Sequence, residues 1–169
     1  MCAGSPRMNE SMSALLRRAG LAWPLTAPTF QRQLPTLEIF EDCVLLKNQR
    51  DPNYHVNIAD CFDRTGFECF INHVHLPFSR TRESLMSCLE YAETLEQALM
   101  PLTPDRRFRV MVALPKDDES PESACTVRFH QIRTGENWIA DDIEGYKSEA
   151  VLVFDVMSSG KPLWRRFRM

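Results

Sequence analysis

The stretch FECFINHVHL, residues 67–76, decides how this chain folds: it is rich in aromatic and β-branched side chains, follows the turn residues DRTG (63–66) and ends at Pro77. These features predict a strand. Working back from it, YHVNIAD (54–60) reads as another strand, QRDPN (49–53) as a turn, and LEIFEDCVLLKN (37–48) as the first strand of the region. Connections this short join antiparallel neighbours, so the three strands are expected to form a meander.

Working forward, Thr81 is placed to cap a helix in which Leu85, Cys88, Leu89, Ala92, Leu95 and Leu99 recur at three- and four-residue spacing until Pro101. Glu83, Glu90, Glu93 and Gln97 fall on the opposite side, which is expected to face water. FRVMVALP (108–115) and ACTVRFHQIR (124–133) read as strands around a polar tip, KDDESPES (116–123). TGENWIADDIEGY (134–146) is turn-like with a short helical segment, and SEAVLVFDVM (148–157) is apolar enough for a central strand. The expectation is an α+β fold: a single mostly antiparallel sheet of about six strands, one long amphipathic helix packed on it, and a short N-terminal helix.

That first helix is capped by Asn9 or Ser11, runs through Met12, Leu15, Leu16 and Ala19, and ends at Gly20. Pro24, Pro28 and Pro35 then make an extended arm. The chain divides into residues 1–36 (helix and Pro-rich arm), 37–160 (core domain) and 161–169 (basic tail KPLWRRFRM), with Met1, Met8 and Met12 all usable as starts. A length of 169 residues suits one domain, and no apolar run is long enough for a membrane span or a secretory signal. Cys2, Cys43, Cys61, Cys69, Cys88 and Cys125 are scattered without a C-x-x-C, as expected of reduced thiols in a cytoplasmic protein.

Few residues suggest chemistry. His73 and His75 share one face of the expected strand with Cys69, and His55 precedes them, a set from which a zinc site can be built. Strand i, i+2 pairs are common without metal, so no metal or other cofactor is expected. Cys61 follows Asp60, and Cys125 precedes His130 by five residues, but no nucleophile elbow or glycine-rich phosphate loop is present. The protein is therefore read as a non-enzyme.

Charge is more informative. The formal net of −3 hides a middle region, residues 37–160, with twelve basic and 22 acidic side chains, flanked by basic ends. Asp117, Asp118, Glu119 and Glu122 cluster in one loop, and Asp141, Asp142 and Glu144 in another beside Trp138. Acids around an aromatic anchor are the composition of a surface that captures Lys and Arg of a basic protein. No membrane or nucleic-acid partner is expected, and edge strands leave room for a homodimer.

The layout is similar to that of the small cytoplasmic immunity proteins of contact-dependent inhibition and other polymorphic-toxin systems. The resemblance lies in the α+β core of this length, its acidity, FECFINHVHL ahead of one amphipathic helix, and ENWIADDIEGYKSEAVLVFDV near the end. It implies stoichiometric occlusion of a cognate, basic toxin domain. The alternatives are a small metal-dependent enzyme using the histidine face, and a nucleic-acid-associated module using the basic ends.

Overall fold

Two eight-residue strands, β5 (Phe108–Pro115) and β6 (Ala124–Gln131), pair antiparallel at the centre of a computed structural model that describes residues 6–21, 33–47, 56–116 and 124–156. Their alternation sets the architecture: Phe108, Val110, Val112 and Leu114 share a face with Cys125, Val127 and Phe129, and all seven are fully buried in the main core. β7 (Glu149–Asp155) pairs with the other side of β5 and, beyond, with the two-residue β1 (Arg7–Met8). β4 (His73–Pro77) closes the opposite edge against β6, giving a five-stranded antiparallel sheet in the order β1-β7-β5-β6-β4.

Two helices bring apolar side chains to the core face. In α1 (Glu10–Arg18), Met12, Leu15 and Leu16 join the main core, and Gly20, at φ 64°, adopts the left-handed conformation just after it. α3 (Arg82–Leu99) starts where the Thr81 hydroxyl accepts the Ser84 N–H at 3.2 Å, and it buries Leu85, Cys88, Leu89, Ala92, Leu95 and Leu99. Its polar side differs from expectation, because Glu93 is only 8% exposed and Thr94 and Glu96 are buried too. Gln97 donates to Glu93 at 2.8 Å, yet burial prevails and pushes the Glu93 carboxyl up to about 7.

The meander does not form. Residues 37–48 hold a hairpin, β2 (Leu37–Phe40) and β3 (Cys43–Leu46), turned by Glu41 and Asp42 at φ 47° and 69°. This is a separate two-stranded sheet, so five strands plus two replace the expected single sheet of about six. Of the second expected strand, residues 54–55 lie outside the described residues, and Ile58–Cys61 is a 3₁₀ turn. FECFINHVHL is divided: its first half belongs to a helix, α2 (Arg64–Ile71), and only its second half, from His73, is strand in the short β4. The reason is local. Asp63 caps α2 by accepting the Gly66 N–H at 2.6 Å, and Phe67 and Ile71, four apart, pack on Cys43 and Leu45 of the hairpin. Gly66 is required there, since a Cβ would lie 2.3 Å from the Cys61 carbonyl oxygen.

Candidate functional site

The outer face of the five-stranded sheet is divided between two structures. Over β5 and β7, residues 134–148 are anchored by Ile139 and Ile143, which pack with Tyr146 against Met111, Val151 and Val153. Trp138, on this segment, is 43% exposed. Hydrogen bonds fix the segment to the N-terminal elements: Arg7 donates to the Asp141 carbonyl at 2.9 Å, and the Glu144 carboxylate accepts the Glu10 N–H at 3.0 and 3.2 Å. Asp142 accepts the Glu144 N–H at 3.0 Å, and the Tyr146 hydroxyl accepts the Ala140 N–H at 3.3 Å.

The structure thus brings Trp138, Asp141, Asp142 and Glu144 together on one pinned segment, with all four exposed. Two of the three acids have internal duties: Asp142 caps a 3₁₀ turn (Ile143–Gly145), and Glu144 receives the first N–H of α1. Asp117, Asp118, Glu119 and Glu122 lie outside the described residues, as do His55 and the tail 161–169.

A second polar assembly was not anticipated from the sequence. Glu68 and Asn72, four apart at the end of α2, stitch the hairpin to β6. Glu68, wholly buried, accepts the N–H groups of Val44 at 2.8 Å and Gln131 at 2.6 Å, while Asn72 accepts from Leu46 and donates to the carbonyls of Val44 and Phe129. Arg133 forks onto Glu68 at 2.9 and 3.1 Å, and both Arg133 and Arg106 donate to the Asp42 carbonyl at 3.0 Å. Glu136 accepts the Thr65 N–H and hydroxyl at 2.9 and 2.7 Å; burial opposes its charge, but these bonds and Arg133 outweigh it and hold the carboxyl below its ordinary value. The spacing of Glu68 and Asn72 was the readable signal, and the strand assignment hid it. Nearly every oxygen here is occupied by backbone, so the assembly welds two sheets rather than offering a reactive group.

At the β4 edge the outer face is cationic. His73 lies directly opposite Arg128, and His75 opposite Thr126. The imidazole centroids are 5.0 Å apart, and His75 Nδ1 is 3.2 Å from the Thr126 hydroxyl. His73 Nδ1 meets the Phe70 carbonyl, an acceptor only, which fixes the proton on Nδ1. Burial, then His73 and Arg128, push the His75 pKa below its ordinary value. Cys69, expected on this face, instead lies wholly buried on α2, its thiol driven upward by burial. No group of three metal-ligating side chains occurs among the described residues, and a cation between the histidines would sit beside the Arg128 guanidinium.

A cleft of 330 Å³ opens between α1 and the adjoining ends of β5 and β7, with Glu10, Ser11, Arg18, Arg80 and Lys116 in its lining. Among the described residues its lining has no histidine or cysteine, and Glu10 is its single carboxylate. No helix among the described residues is long and apolar enough to cross a membrane.

No curated protein and no solved structure matches the chain. A family model does match, over residues 7–163, a span that includes every described strand and helix; the chain belongs to the family described as Uncharacterized protein PM0498 family.

Proposed function

We propose that this protein acts by binding rather than by turnover, as a cytoplasmic inhibitor of the immunity type that occludes a basic partner, in the simplest case a toxin domain. The observation that carries this reading is Trp138: a large aromatic side chain, 43% exposed, on a segment held by hydrogen bonds at Glu136 on one side and at Asp141 and Glu144 on the other, and bordered by Asp141 and Asp142. A rigid aromatic anchor loses little entropy on binding, and surrounding carboxylates steer a cationic partner and fix its register. The excess of ten acids over bases in residues 37–160 supports the same polarity. The free thiols at Cys43, Cys61, Cys69, Cys88 and Cys125 suit a reducing cytoplasm. A metal-dependent enzyme has less support, because His73 and His75 lack a third ligand among the described residues and adjoin Arg128.

The test is affinity capture from native lysate with tagged protein, followed by binding measurements on the purified partner. A basic protein captured in near-equal amount, with association slowed by salt and affinity reduced by about thirtyfold in Trp138→Ala, is the expected result. A partner that binds Trp138→Ala and the parent equally well overturns the assignment of this surface.

A further inference from the structure

We propose that His73, His75, Thr126 and Arg128 form a binding site for a tetrahedral oxyanion, either free or as the terminal group of a small phosphomonoester. This site lies at the β4 edge and is independent of the Trp138 surface.

Three observations carry it. First, the four side chains are placed by sheet register: His73 pairs with Arg128 and His75 with Thr126, and directly opposed residues share a face. That face is the outer one, since Val74, Leu76, Cys125 and Val127 point into the core. Second, Arg128 has no paired counter-charge among the described residues. Its Nε is shut off from water with no acceptor, and among the described residues no carboxylate or carbonyl receives any of its N–H groups. Buried donors without partners are rare in native proteins, and an absent ion is one of the standard explanations. Third, the flanking groups add positive charge. From α2 the neighbours are Phe70 and the buried Cys69 thiol, with the Glu68 and Asp63 carboxylates beyond it already engaged by Arg133 and the Gly66 N–H; β5 brings the uncharged Met111, β6 the buried His130, and β4 the two imidazoles. Arg109, further along β5, is already paired with Asp155 at 2.8 Å. Three groups able to be cationic therefore converge where no carboxylate among the described residues pairs with them, beside a hydroxyl able to donate.

The chemistry fits an oxyanion with several acceptor atoms. The guanidinium offers parallel N–H donors, and Thr126 adds an O–H. His73 already spends Nδ1–H on the Phe70 carbonyl, so its Nε2 repels an anion when neutral and donates to one when protonated. Binding is thus coupled to proton uptake. Burial depresses His75 most, and an anion offsets the further depression by His73 and Arg128. The same charge discourages β4 from pairing with β4 of a second copy, which would bring two such clusters together.

The experiment uses the full chain and sulfate, which stays a dianion across the pH range, followed in the histidine Cε1–H resonances. Sulfate is expected to move the His73 and His75 signals saturably and to raise the His75 pKa. One proton taken up per anion makes binding at least about tenfold tighter at pH 6 than at pH 8. Arg128→Gln removes the saturable response and, without sulfate, raises the His75 pKa by deleting a positive neighbour. Where Arg128→Gln fails to fold, a His73→Asn, His75→Asn variant carries the test: sulfate protection against heat is smaller than in the parent. Phenyl phosphate run in parallel separates the sources, since tighter binding than sulfate points to a monoester. Shifts that are linear, shared with His130, or unchanged in Arg128→Gln overturn the proposal.

Discussion

Glu68 and Arg133 form a two-point ion pair, at 2.9 and 3.1 Å, in which the carboxylate is wholly buried and the guanidinium 11% exposed. Because Glu68 also receives the N–H groups of Val44 and Gln131, this pair is where the two-stranded and five-stranded sheets meet.

Removing one partner leaves a desolvated charge, so Arg133→Met or Glu68→Gln alone is expected to cost about 3–5 kcal/mol. The double variant loses less than the sum, because neither charge is stranded. Urea midpoints of the four proteins check this, and strict additivity would falsify the coupling.

Asn9, 1% exposed, fastens the N-terminal segment to β7. Its side chain accepts from Met12 and Val151 at 3.0 and 2.9 Å and donates to the carbonyls of Glu149 and Tyr146 at 2.9 and 3.3 Å. Asn9→Ala strands two buried N–H groups, and a loss of about 3 kcal/mol or more is expected. Asn9→Asp retains both acceptor bonds but turns an oxygen toward two carbonyls, so it rescues only in part. Thermal melts of the two variants that coincide would count against this account.

Phe62 is fully exposed and sits at φ 65°, ψ −47°, in a three-residue turn closed by the Asp63 N–H on the Cys61 carbonyl at 2.7 Å. That conformation costs a non-glycine residue about 1–3 kcal/mol, and the side chain regains none of it by burial. Phe62→Gly is therefore expected to stabilise the fold by about 1 kcal/mol after the extra chain entropy of glycine is subtracted. A lower melting temperature in Phe62→Gly refutes the strain.

Glu93 gives stability a dependence on pH. Its pKa rises from an ordinary 4.5 to about 7 on folding, with burial the main cause. Between these values the folded protein keeps a proton that the unfolded chain has released. The favourable contribution is therefore complete below about 4.5 and disappears as the pH climbs through about 7. Glu93→Gln should match the parent in acid and exceed it in melting temperature at pH 8. Parallel profiles from pH 4.5 to 8 rule the effect out.

The parts of this fold that were legible are those with a sustained period. Alternation over residues 108–115 and 124–131 and the three-four spacing from Leu85 to Leu99 each repeat often enough to identify an element. α2 has eight residues, two phenylalanines and an isoleucine, so composition favours a strand while the decisive information, the Asp63 cap, looks like a turn. The hairpin in residues 37–48 was hidden because its turn, Glu41-Asp42, lacks the expected glycine; Arg106 and Arg133, distant in sequence, hold the Asp42 carbonyl. Trp138 and its acids were readable as a segment. The histidine pair was readable too, but Arg128 enters only through the β4–β6 register, which no local pattern encodes.

The attachment of β1 to β7 also dictates an order of assembly. Arg7 pairs with Val153, and the Val151 N–H reaches back across 142 residues to Asn9. On the ribosome, α3, β5 and β6 can dock as soon as they emerge, since their contacts are close in sequence. The segment of β1 and α1, made before the other described elements, must wait for the last described strand, keeping Met12, Leu15 and Leu16 without a berth until then. Nascent chains halted before residue 149 should engage holding chaperones through this segment, and release should coincide with the arrival of β7.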